Sequence, residues 1–300
     1  MKIIISGATG LVGTALARTL RDEGHSVARL VRAGSVAVAG DIQWDPANSK
    51  IDLAALEGAD AVVNLNGASI GGGRWTPERK KLLRTSRVET TRFLVDSMSR
   101  LRQKPRAFVS ASAIGFYGSR GDEVLTEASA SGADFLSGLS REWEQEAERA
   151  ESFGIRTAIL RFGIILSSRG GALPRMLTPF KMGAGGRLGD GKQWMSWIAL
   201  DDVIGIIRWA IADSQVKGPV NVVAPNPVQN SEFTRVLAKV LHRPAIFPAP
   251  AFALRLMLGE MADALLLGSQ RVRPEKLLES GYKFRFEKLE PALQATLAKS

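Results

Sequence analysis

The fold is decided by the stretch Lys2–Ser6, with the sequence KIIIS, and by residues 7–13, GATGLVG, which follow it directly. The first segment is a short β-branched apolar run, which is typical of a strand buried in a parallel sheet. Apolar residues then recur with helical spacing from Leu11 to about Gly24, and residues 27–31 form a second strand-like run. This order predicts a βαβ unit, the context in which a glycine-rich turn becomes informative.

The three glycines of this turn have separate uses in a dinucleotide-binding fold. Gly7 permits the tight turn, Gly10 lets the backbone approach a pyrophosphate, and Gly13 allows the helix to pack closely on the strand. The free N–H groups and the dipole at the start of the helix favour phosphate. The sequence therefore predicts a dinucleotide cofactor here, in preference to a tight turn without a ligand.

The end of the second strand indicates which dinucleotide binds. NAD-binding folds often place an acid there, where it accepts hydrogen bonds from the ribose hydroxyls. This chain has Arg32 at that position and no acid until Asp41, and a cation suits the 2′-phosphate of NADP(H). Arg29 is a weaker candidate for the same role, and an ordinary surface position for Arg32 is the alternative.

Strand-like and helical segments continue to alternate along the chain. Strand-like runs lie at residues 61–65, 107–110 and 157–160, and helical patterns lie at 53–56, 77–102 and 136–153. This alternation predicts an α/β fold, a Rossmann doubly wound parallel sheet with right-handed crossovers. The pattern degrades after about Arg161. We therefore expect a dinucleotide-binding domain over residues 1–162 and a smaller C-terminal substrate lobe over residues 163–300, with the two lobes interleaved.

The composition excludes several classes of site. The chain has 300 residues, no cysteine and only two histidines, His25 and His242. We therefore expect no disulfide, no cysteine nucleophile and no metal site built on thiolates or several histidines. No apolar run is long enough to span a membrane, and no signal-peptide pattern precedes the glycine turn. These features predict a cytoplasmic protein without a membrane partner.

The net charge of +10 is concentrated in one segment. Residues 74–106 hold eleven basic and three acidic residues, and Thr76, Pro77 and Glu78 mark a helix start within them. The segment lacks interleaved aromatic residues, and the chain has no zinc-finger or RNA-recognition motif, so we expect no nucleic-acid partner. Most of these cations are expected on a solvated helix face.

Arg87 is the exception in this segment. It lies within the apolar stripe that includes Leu83 and Leu94, so its side chain would face the core. A buried guanidinium is costly unless it meets an anion or a network of acceptors. The alternative is a side chain that reaches the surface along its apolar stem.

An ordered series of motifs covers nearly the whole chain. Besides the glycine turn, the motifs are Asn64-Leu65-Asn66-Gly67-Ala68, Ser86-Arg87, residues 110–118 (SASAIGFYG), Trp143-Glu144, Arg161-Phe162-Gly163, residues 193–202 (QWMSWIALDD) and residues 221–230 (NVVAPNPVQN). The series resembles the extended and atypical short-chain dehydrogenase/reductases, and within them an epimerase-family group often labelled nucleoside-diphosphate-sugar epimerases.

The resemblance implies a set of residues that contact the cofactor, NADP(H). They are Gly7, Thr9, Gly10, Leu11, Val12, Gly13, Arg32, Asn66, Gly67, Ala68 and Arg161. It also implies a homodimer, because relatives often associate through a helix such as residues 77–102.

The usual chemistry of this superfamily needs four side chains: a Ser that holds the substrate oxygen, a Tyr that passes the proton, a Lys beside the Tyr and an Asn in a proton relay. By resemblance, Ser112 matches the Ser and Arg87 stands at the Asn position. Phe135 and Leu139 occupy the Tyr and Lys positions. Tyr117 follows Ser112 by five residues, and substrate lining is favoured over proton transfer for it. The catalytic candidates are Ser112, Tyr117 and Arg87.

Two functions stay open at this stage. The first is an NADP(H)-dependent oxidoreductase or epimerase-like enzyme that acts on a small carbonyl or hydroxyl compound without the usual Tyr-x-x-x-Lys pair. The second is a non-catalytic NADP(H)-binding sensor or scaffold. The sequence does not indicate which small molecule is the substrate.

Overall fold

The structure, a computed structural model, describes residues 1–34 and 37–298. Its opening elements confirm the predicted βαβ unit. The strands are β1 Lys2–Ser6, β2 Ser26–Arg32, β3 Ile42–Asp45, β4 Lys50–Ile51, β5 Ala61–Asn64, β6 Ala107–Ala113, β7 Val124–Leu125, β8 Arg156–Phe162, β9 Ile164–Leu166, β10 Trp194–Met195, β11 Trp197–Ala199, β12 Gly218–Val222, β13 Val228–Gln229 and β14 Arg271–Val272. The helices are α1 Leu11–Asp22, α2 Leu53–Leu56, α3 Pro77–Arg84, α4 Thr90–Ser99, α5 Phe135–Glu148, α6 Leu173–Lys181, α7 Leu200–Ala212, α8 Asn230–Leu241, α9 Ala251–Leu258, α10 Glu260–Ala262, α11 Glu275–Glu279 and α12 Leu289–Ala298.

One large sheet has eight strands in the order β12-β8-β6-β5-β1-β2-β3-β4. β1 pairs in parallel with β2 on one side and with β5 on the other, and β5 pairs in parallel with β6. The edge pair of β3 and β4 is antiparallel. Ile3, Ile4 and Ile5 are fully buried, because a strand inside a parallel sheet is covered on both faces. The predicted α/β fold with a mostly parallel, Rossmann-like sheet is confirmed.

The chain forms two compact units, each built from three segments. The first unit comprises residues 1–112, 139–160 and 204–219, and the second comprises residues 113–138, 161–203 and 220–298. The predicted division into residues 1–162 and 163–300 is coarser than these segments. The second unit contains three two-stranded sheets, which are β10 with β13, β11 with β9, and β14 with β7.

Each unit has its own hydrophobic core. The core of the first unit includes Ile4, Leu30, Trp44, Val62, Leu94, Met98, Phe108 and Ile159. In the second unit, one cluster includes Leu166, Leu177, Trp197, Phe233, Leu237 and Leu293, and a smaller one holds Ile114, Tyr117, Leu125, Val223 and Val272. The core of the first unit includes side chains of β1, β5 and β6, the strands whose carboxyl ends carry the candidate site.

The predicted basic helix consists of α3, a π-helical turn at Thr85–Glu89, and α4. The side chain of Thr76 accepts a hydrogen bond from the Arg79 N–H, which confirms the predicted start. The sequence did not predict the π turn, which contains Arg87. Such turns are rare, and they often lie at functional sites.

Acidic residues of α5 pair with part of the basic helix face. Arg84 lies 2.7 Å from Glu142, and Arg92 lies 2.6 Å from Glu146. All four side chains are at least partly exposed, so each pair contributes at most about 1 kcal/mol to stability. These pairs nevertheless reduce the local excess of positive charge that the sequence shows between residues 74 and 106.

Candidate functional site

The glycine turn after β1 leaves no room for side chains at two positions. The backbone at Gly7 has a φ of +69°, and a Cβ there would lie 2.4 Å from the carbonyl oxygen of Leu65. A Cβ on Gly13 would lie 2.4 Å from the carbonyl oxygen of Gly7 and 2.6 Å from the Cα of Ala8. Both clashes are with backbone atoms, so neither position accepts alanine without a shift of the chain. The turn has the close packing that a dinucleotide-binding turn requires.

The start of α1 is open to an anion. Gly10 is the N-cap residue, and no side chain caps the helix. The first N–H groups of a helix have no partner within it, which leaves those of Leu11 and Val12 available. Thr9 and Gly10 are exposed, whereas Gly13 is buried. The exposed turn and the uncapped helix start fit the phosphates of a dinucleotide.

The end of β2 distinguishes the two arginines proposed for the 2′-phosphate. The guanidinium of Arg29 donates two hydrogen bonds to Asp41, at 2.8 and 2.6 Å. These bonds hold the pKa of the Asp41 carboxyl below its usual range and raise the pKa of Arg29. Arg32 is exposed at the end of the strand, and no residue in the described part of the chain pairs with it. The geometry favours Arg32 over Arg29 as the free cation.

Asn64, at the carboxyl end of β5, forms hydrogen bonds with polar residues of β1, α4 and the loop after β5. Its Oδ1 accepts a hydrogen bond from Ser6 Oγ at 2.9 Å, and its Nδ2 donates to Thr91 Oγ1 at 2.8 Å. The same Oδ1 accepts from Nδ2 of Asn66 at 2.9 Å. Asn64 is fully buried, so these bonds replace its contacts with water. They fix the chain where it leaves β5.

The loop after β5 is held against the basic helix through both the N–H and the carbonyl oxygen of Ala68. The Ala68 N–H donates to Ser86 Oγ at 3.0 Å, and Arg87 Nη2 donates to the Ala68 carbonyl oxygen at 3.0 Å. A Cβ on Gly67 would lie 3.0 Å from the guanidinium carbon of Arg87. Gly67 therefore lets this arginine approach the loop that the resemblance assigns to the cofactor.

Arg87 faces inward, as the apolar stripe predicts. Its Nη1 donates to the Leu83 carbonyl oxygen at 3.2 Å, and its guanidinium carbon lies 5.3 Å from the centre of the Trp143 ring. Burial, with a smaller effect from Arg79, lowers the pKa of Arg87 to about 10. No carboxylate pairs with Arg87 among residues 1–34 and 37–298. The guanidinium lies against two carbonyl oxygens and the face of the Trp143 ring, and it keeps N–H groups that can donate to an anion.

Ser112 lies near the carboxyl end of β6 and is almost fully buried. Its hydroxyl donates to Glu144 Oε1 at 2.5 Å, and Glu144 is buried as well. Glu144 belongs to α5, next to Trp143, whose indole N–H donates to Thr91 Oγ1 at 2.9 Å. Glu144 belongs to the Trp143-Glu144 motif, which by itself does not indicate a role for the carboxylate. Its burial, which identifies it, is visible only in the structure.

Tyr117 lies in the second unit and is fully buried. Its hydroxyl donates to Asn221 Oδ1 at 2.7 Å and accepts from Arg161 Nη1 at 2.9 Å. Burial raises the pKa of Tyr117 to about 12, although Arg161 acts in the opposite direction. A phenol with both bonds committed and so high a pKa is a poor proton donor at neutral pH. Its catalytic role stays a prediction, and these contacts favour a structural one.

Arg161 belongs to the same buried cluster in the second unit. Its guanidinium carbon lies 3.5 Å from the centre of the Phe116 ring, and its Nη1 is 3.5 Å from the Glu127 carbonyl oxygen. The Glu127 carboxylate accepts from the Asn221 N–H at 3.0 Å, and burial raises its pKa. The cofactor contact that the resemblance implies for Arg161 stays a prediction. The structure brings it together with Tyr117 and Asn221.

Within the described ranges, no group of three or more His, Cys, Asp or Glu side chains could hold a metal ion. No helix in the part of the chain that the structure describes has the length and apolar character needed to cross a membrane.

Comparison with known proteins places this geometry in a family. Residues 3–224 match the model of the NAD dependent epimerase/dehydratase family, which covers β1 through β12 and most of the candidate residues. Residues 249–296 match a domain of unknown function, DUF1731. The chain therefore belongs to the NAD dependent epimerase/dehydratase family.

Individual relatives show how similar the chain is to particular members of this family. The chain is 39% identical to the epimerase family protein YfhF of Bacillus subtilis, over 99% of this chain and 98% of that one. It is 38% identical to a chloroplastic SDR39U1 homologue of Arabidopsis thaliana, over 99% and 87%. A crystal structure of human epimerase family protein SDR39U1 with NADPH superposes with a TM-score of 0.90, at 31% identity and complete coverage of both chains. The resemblance to epimerase-family short-chain dehydrogenase/reductases is confirmed.

Proposed function

We propose that the protein binds NADP(H) at the carboxyl end of β1 and couples it to a small carbonyl or hydroxyl compound as an oxidoreductase or epimerase-like enzyme. The observation that carries this proposal is the glycine turn, where Gly7 and Gly13 leave no space for a Cβ and the start of α1 is uncapped. The human relative that superposes on the whole chain was crystallised with NADPH, which supports the choice of cofactor. When bound, the nicotinamide supplies the hydride chemistry.

The residues assigned to the cofactor here fall into three groups. The N–H groups at the start of α1 would hold the phosphates, because they carry the positive end of the helix dipole. Arg32 would pair with the 2′-phosphate, since it is exposed and has no partner in the described ranges. The loop of Asn66, Gly67 and Ala68 follows β5, which runs parallel to β1 and ends at the same edge.

The residues assigned to the substrate are Ser112 and Arg87. Ser112 would orient the reacting oxygen, and Arg87 would stabilise negative charge that develops on it. Arg87 suits this role because its guanidinium is partly buried and pairs with no carboxylate in the described ranges. A charge in such a place interacts more strongly with an anion than an exposed one does.

The test combines cofactor binding with turnover. Wild-type protein is titrated with NADPH, and NADPH consumption is then followed with a panel of small aldehydes, ketones and quinones. The reverse reaction is followed with NADP⁺ and the corresponding alcohols. Binding together with turnover of at least one class is the expected result. NADPH that fails to bind would contradict the proposal at its first step.

The second candidate function is a non-catalytic NADP(H)-binding sensor or scaffold. Two features favour it. The resemblance aligns Leu139, which is buried in α5, with the usual Lys position, and the Tyr117 hydroxyl is bonded to Asn221 inside the second unit. This alternative predicts NADPH binding with no turnover across the whole panel. Robust oxidation of NADPH by any of these compounds would exclude it.

A further inference from the structure

The proposed chemistry still requires a group in the chain that exchanges a proton with the substrate oxygen. By resemblance, the superfamily's usual Tyr and Lys positions correspond to Phe135 and Leu139, which carry no titratable group. The Tyr117 hydroxyl is already bonded to Asn221 and Arg161. Arg87 holds its proton at neutral pH, because even its lowered pKa is about 10. The first unit therefore needs another acceptor near Ser112.

The Ser112–Glu144 hydrogen bond supplies one. A hydroxyl has one hydrogen, and that of Ser112 is directed at Glu144 Oε1, 2.5 Å away. The side of Ser112 Oγ that remains for a ligand consists of lone pairs. An ionised carboxylate is an acceptor only, so Glu144 can receive the Ser112 proton while Ser112 accepts another.

Burial of Ser112 and Glu144 favours proton transfer between them. Ser112 is 2% exposed and Glu144 is 5% exposed. At such low exposure bulk water has little access to the Glu144 carboxylate and does not compete with it as the proton acceptor. A short hydrogen bond to a carboxylate is also stronger in a medium of low dielectric constant. The bond joins β6 to α5 across 32 residues of sequence, so its geometry is set by the fold of the first unit.

We propose that Ser112 and Glu144 form a proton relay for the proposed hydride transfer, with Ser112 as the catalytic residue and Glu144 as the positioning residue behind it. In the direction of alcohol oxidation, the substrate hydroxyl gives its proton to Ser112 Oγ, and Ser112 gives its own proton to Glu144. The hydride leaves the substrate carbon with its electron pair for the oxidised nicotinamide, and a carbonyl group remains. Reduction reverses the same transfers. The relay rests on the proposed function.

The variant that tests the relay is Glu144→Gln. Glutamine has the same shape and can accept the Ser112 hydrogen bond through its amide oxygen, but it cannot take the proton. We expect kcat to fall about 100-fold in E144Q, which is typical for loss of acid–base catalysis. KM, the melting temperature and the Kd for NADPH should stay close to wild type. Glu148→Gln, an exposed substitution on the same helix, is the matched control.

The outcomes separate the relay from a structural role and from the proposed function itself. If Glu144 only holds Ser112 in place, E144Q keeps wild-type turnover and Glu144→Ala loses it. That result overturns the relay and leaves the proposed function intact. If the wild-type protein binds NADPH and turns over no compound of the panel, the proposed enzyme is wrong and the relay is overturned with it.

A second readout does not depend on turnover. The infrared carboxylate band of Glu144 is isolated by subtracting the spectrum of E144Q from that of wild type. In Ser112→Ala the band should shift, because its donor is lost. A carboxylate band that S112A leaves unchanged would contradict the hydrogen bond on which the relay depends.

Discussion

Arg87 and Arg161 are both arginines set among apolar residues, but their surroundings differ. Arg87, in the first unit, donates to two backbone carbonyl oxygens and lies over the Trp143 ring. Arg161, in the second unit, is 3% exposed, donates to the Tyr117 hydroxyl and lies over the Phe116 ring at 3.5 Å. The Arg161 guanidinium is enclosed by the Tyr117 hydroxyl and the Phe116 ring, whereas Arg87 lies beside the loop to which the resemblance assigns the cofactor.

The surroundings of each guanidinium indicate whether its buried charge serves the fold or a ligand. Burial lowers the pKa of Arg87 to about 10, so the fold works against its charge. In the cluster of Arg161, the phenol, the ring face and the Glu127 carbonyl oxygen surround the guanidinium. We infer that Arg161 stabilises the second unit and that Arg87 is retained for a ligand.

The largest effect is expected for turnover in Arg87→Ala. Loss of a buried cation that faces developing negative charge should reduce kcat about 100-fold or more. The free energy of unfolding should change by no more than about 1 kcal/mol, because the lost hydrogen bonds are offset by the relief of a buried charge. Affinity for NADPH should change less than turnover does. The measurements are steady-state kinetics, urea denaturation and NADPH titration.

Arg100→Ala is the matched control for that experiment, since Arg100 is an exposed arginine at the end of α4. It should behave as wild type in all three measurements. Unchanged kinetics in R87A would remove Arg87 from the reaction. A large loss of stability in R87A would make it a structural residue like Arg161.

The next effect is expected for stability in Arg161→Met. This change leaves the Tyr117 hydroxyl and the Glu127 carbonyl oxygen buried without their donor, which should cost about 3 kcal/mol of unfolding free energy. Folded R161M should bind NADPH as wild type does. Urea denaturation and NADPH titration check the two statements, with the exposed Arg169→Met as control. A stable R161M that has lost NADPH affinity would instead support the cofactor contact implied by the resemblance.

A smaller effect is expected for Tyr117→Phe. At pH 8 the lost hydroxyl should cost about 1.5 kcal/mol, because Arg161 and Asn221 each lose a buried bond. The pKa of Tyr117 is about 12 in the folded chain and near 10 when unfolded, so its contribution is present below pH 10 and is lost as the pH rises through 12. The stability gap between wild type and Y117F should therefore shrink by about 1 kcal/mol between pH 8 and pH 11.

Turnover distinguishes the two roles of Tyr117. A structural phenol predicts that folded Y117F keeps wild-type kcat. A strong loss of kcat without loss of stability would restore Tyr117 as the group that transfers the proton, and it would make the Glu144 relay unnecessary.

The smallest effect is expected for NADPH affinity in Arg32→Ala, because Arg32, unlike Arg87 and Arg161, is an exposed arginine. The loss of one exposed cation should weaken NADPH binding about tenfold, or about 1.4 kcal/mol. Affinity for NADH should stay unchanged, because NADH has no 2′-phosphate. Arg29→Ala is the variant to compare with R32A, because the Arg29 guanidinium is hydrogen-bonded to Asp41. Equal losses for NADPH and NADH in R32A would leave no reason to prefer NADP(H) on account of Arg32.

The parts of the molecule that the sequence predicts well are those with local causes. Lys2–Ser6 is a buried strand because its residues are β-branched and apolar, and the turn after it needs glycines at positions 7 and 13 for steric reasons. The start of α3 follows from Thr76 and Pro77 in the same way. Each of these features is decided within a few residues, so a single sequence contains the information.

The contacts that give the candidate site its chemistry are not local. Tyr117 meets Asn221 across 104 residues, and Ser112 meets Glu144 across 32. Sequence spacing placed Arg87 on the apolar stripe and left open whether its side chain faces the core or the surface. Its contact with Gly67 and the π turn around it depend on packing between elements. Substrate lining by Tyr117 stays a prediction, and the burial of its hydroxyl in the second unit is not visible in the sequence.

Binding of NADP(H) at the glycine turn is tested most directly by a calorimetric titration of NADPH and NADH into wild type and Gly13→Ala. A Cβ at position 13 would lie 2.4 Å from a backbone oxygen, whereas Gly138 has open space and serves as the alanine control. We predict that wild type and G138A bind NADPH at least about tenfold more tightly than NADH. Folded G13A should lose most of that affinity. A wild-type protein that binds neither nucleotide, or a G13A that binds NADPH as wild type does, would contradict the account.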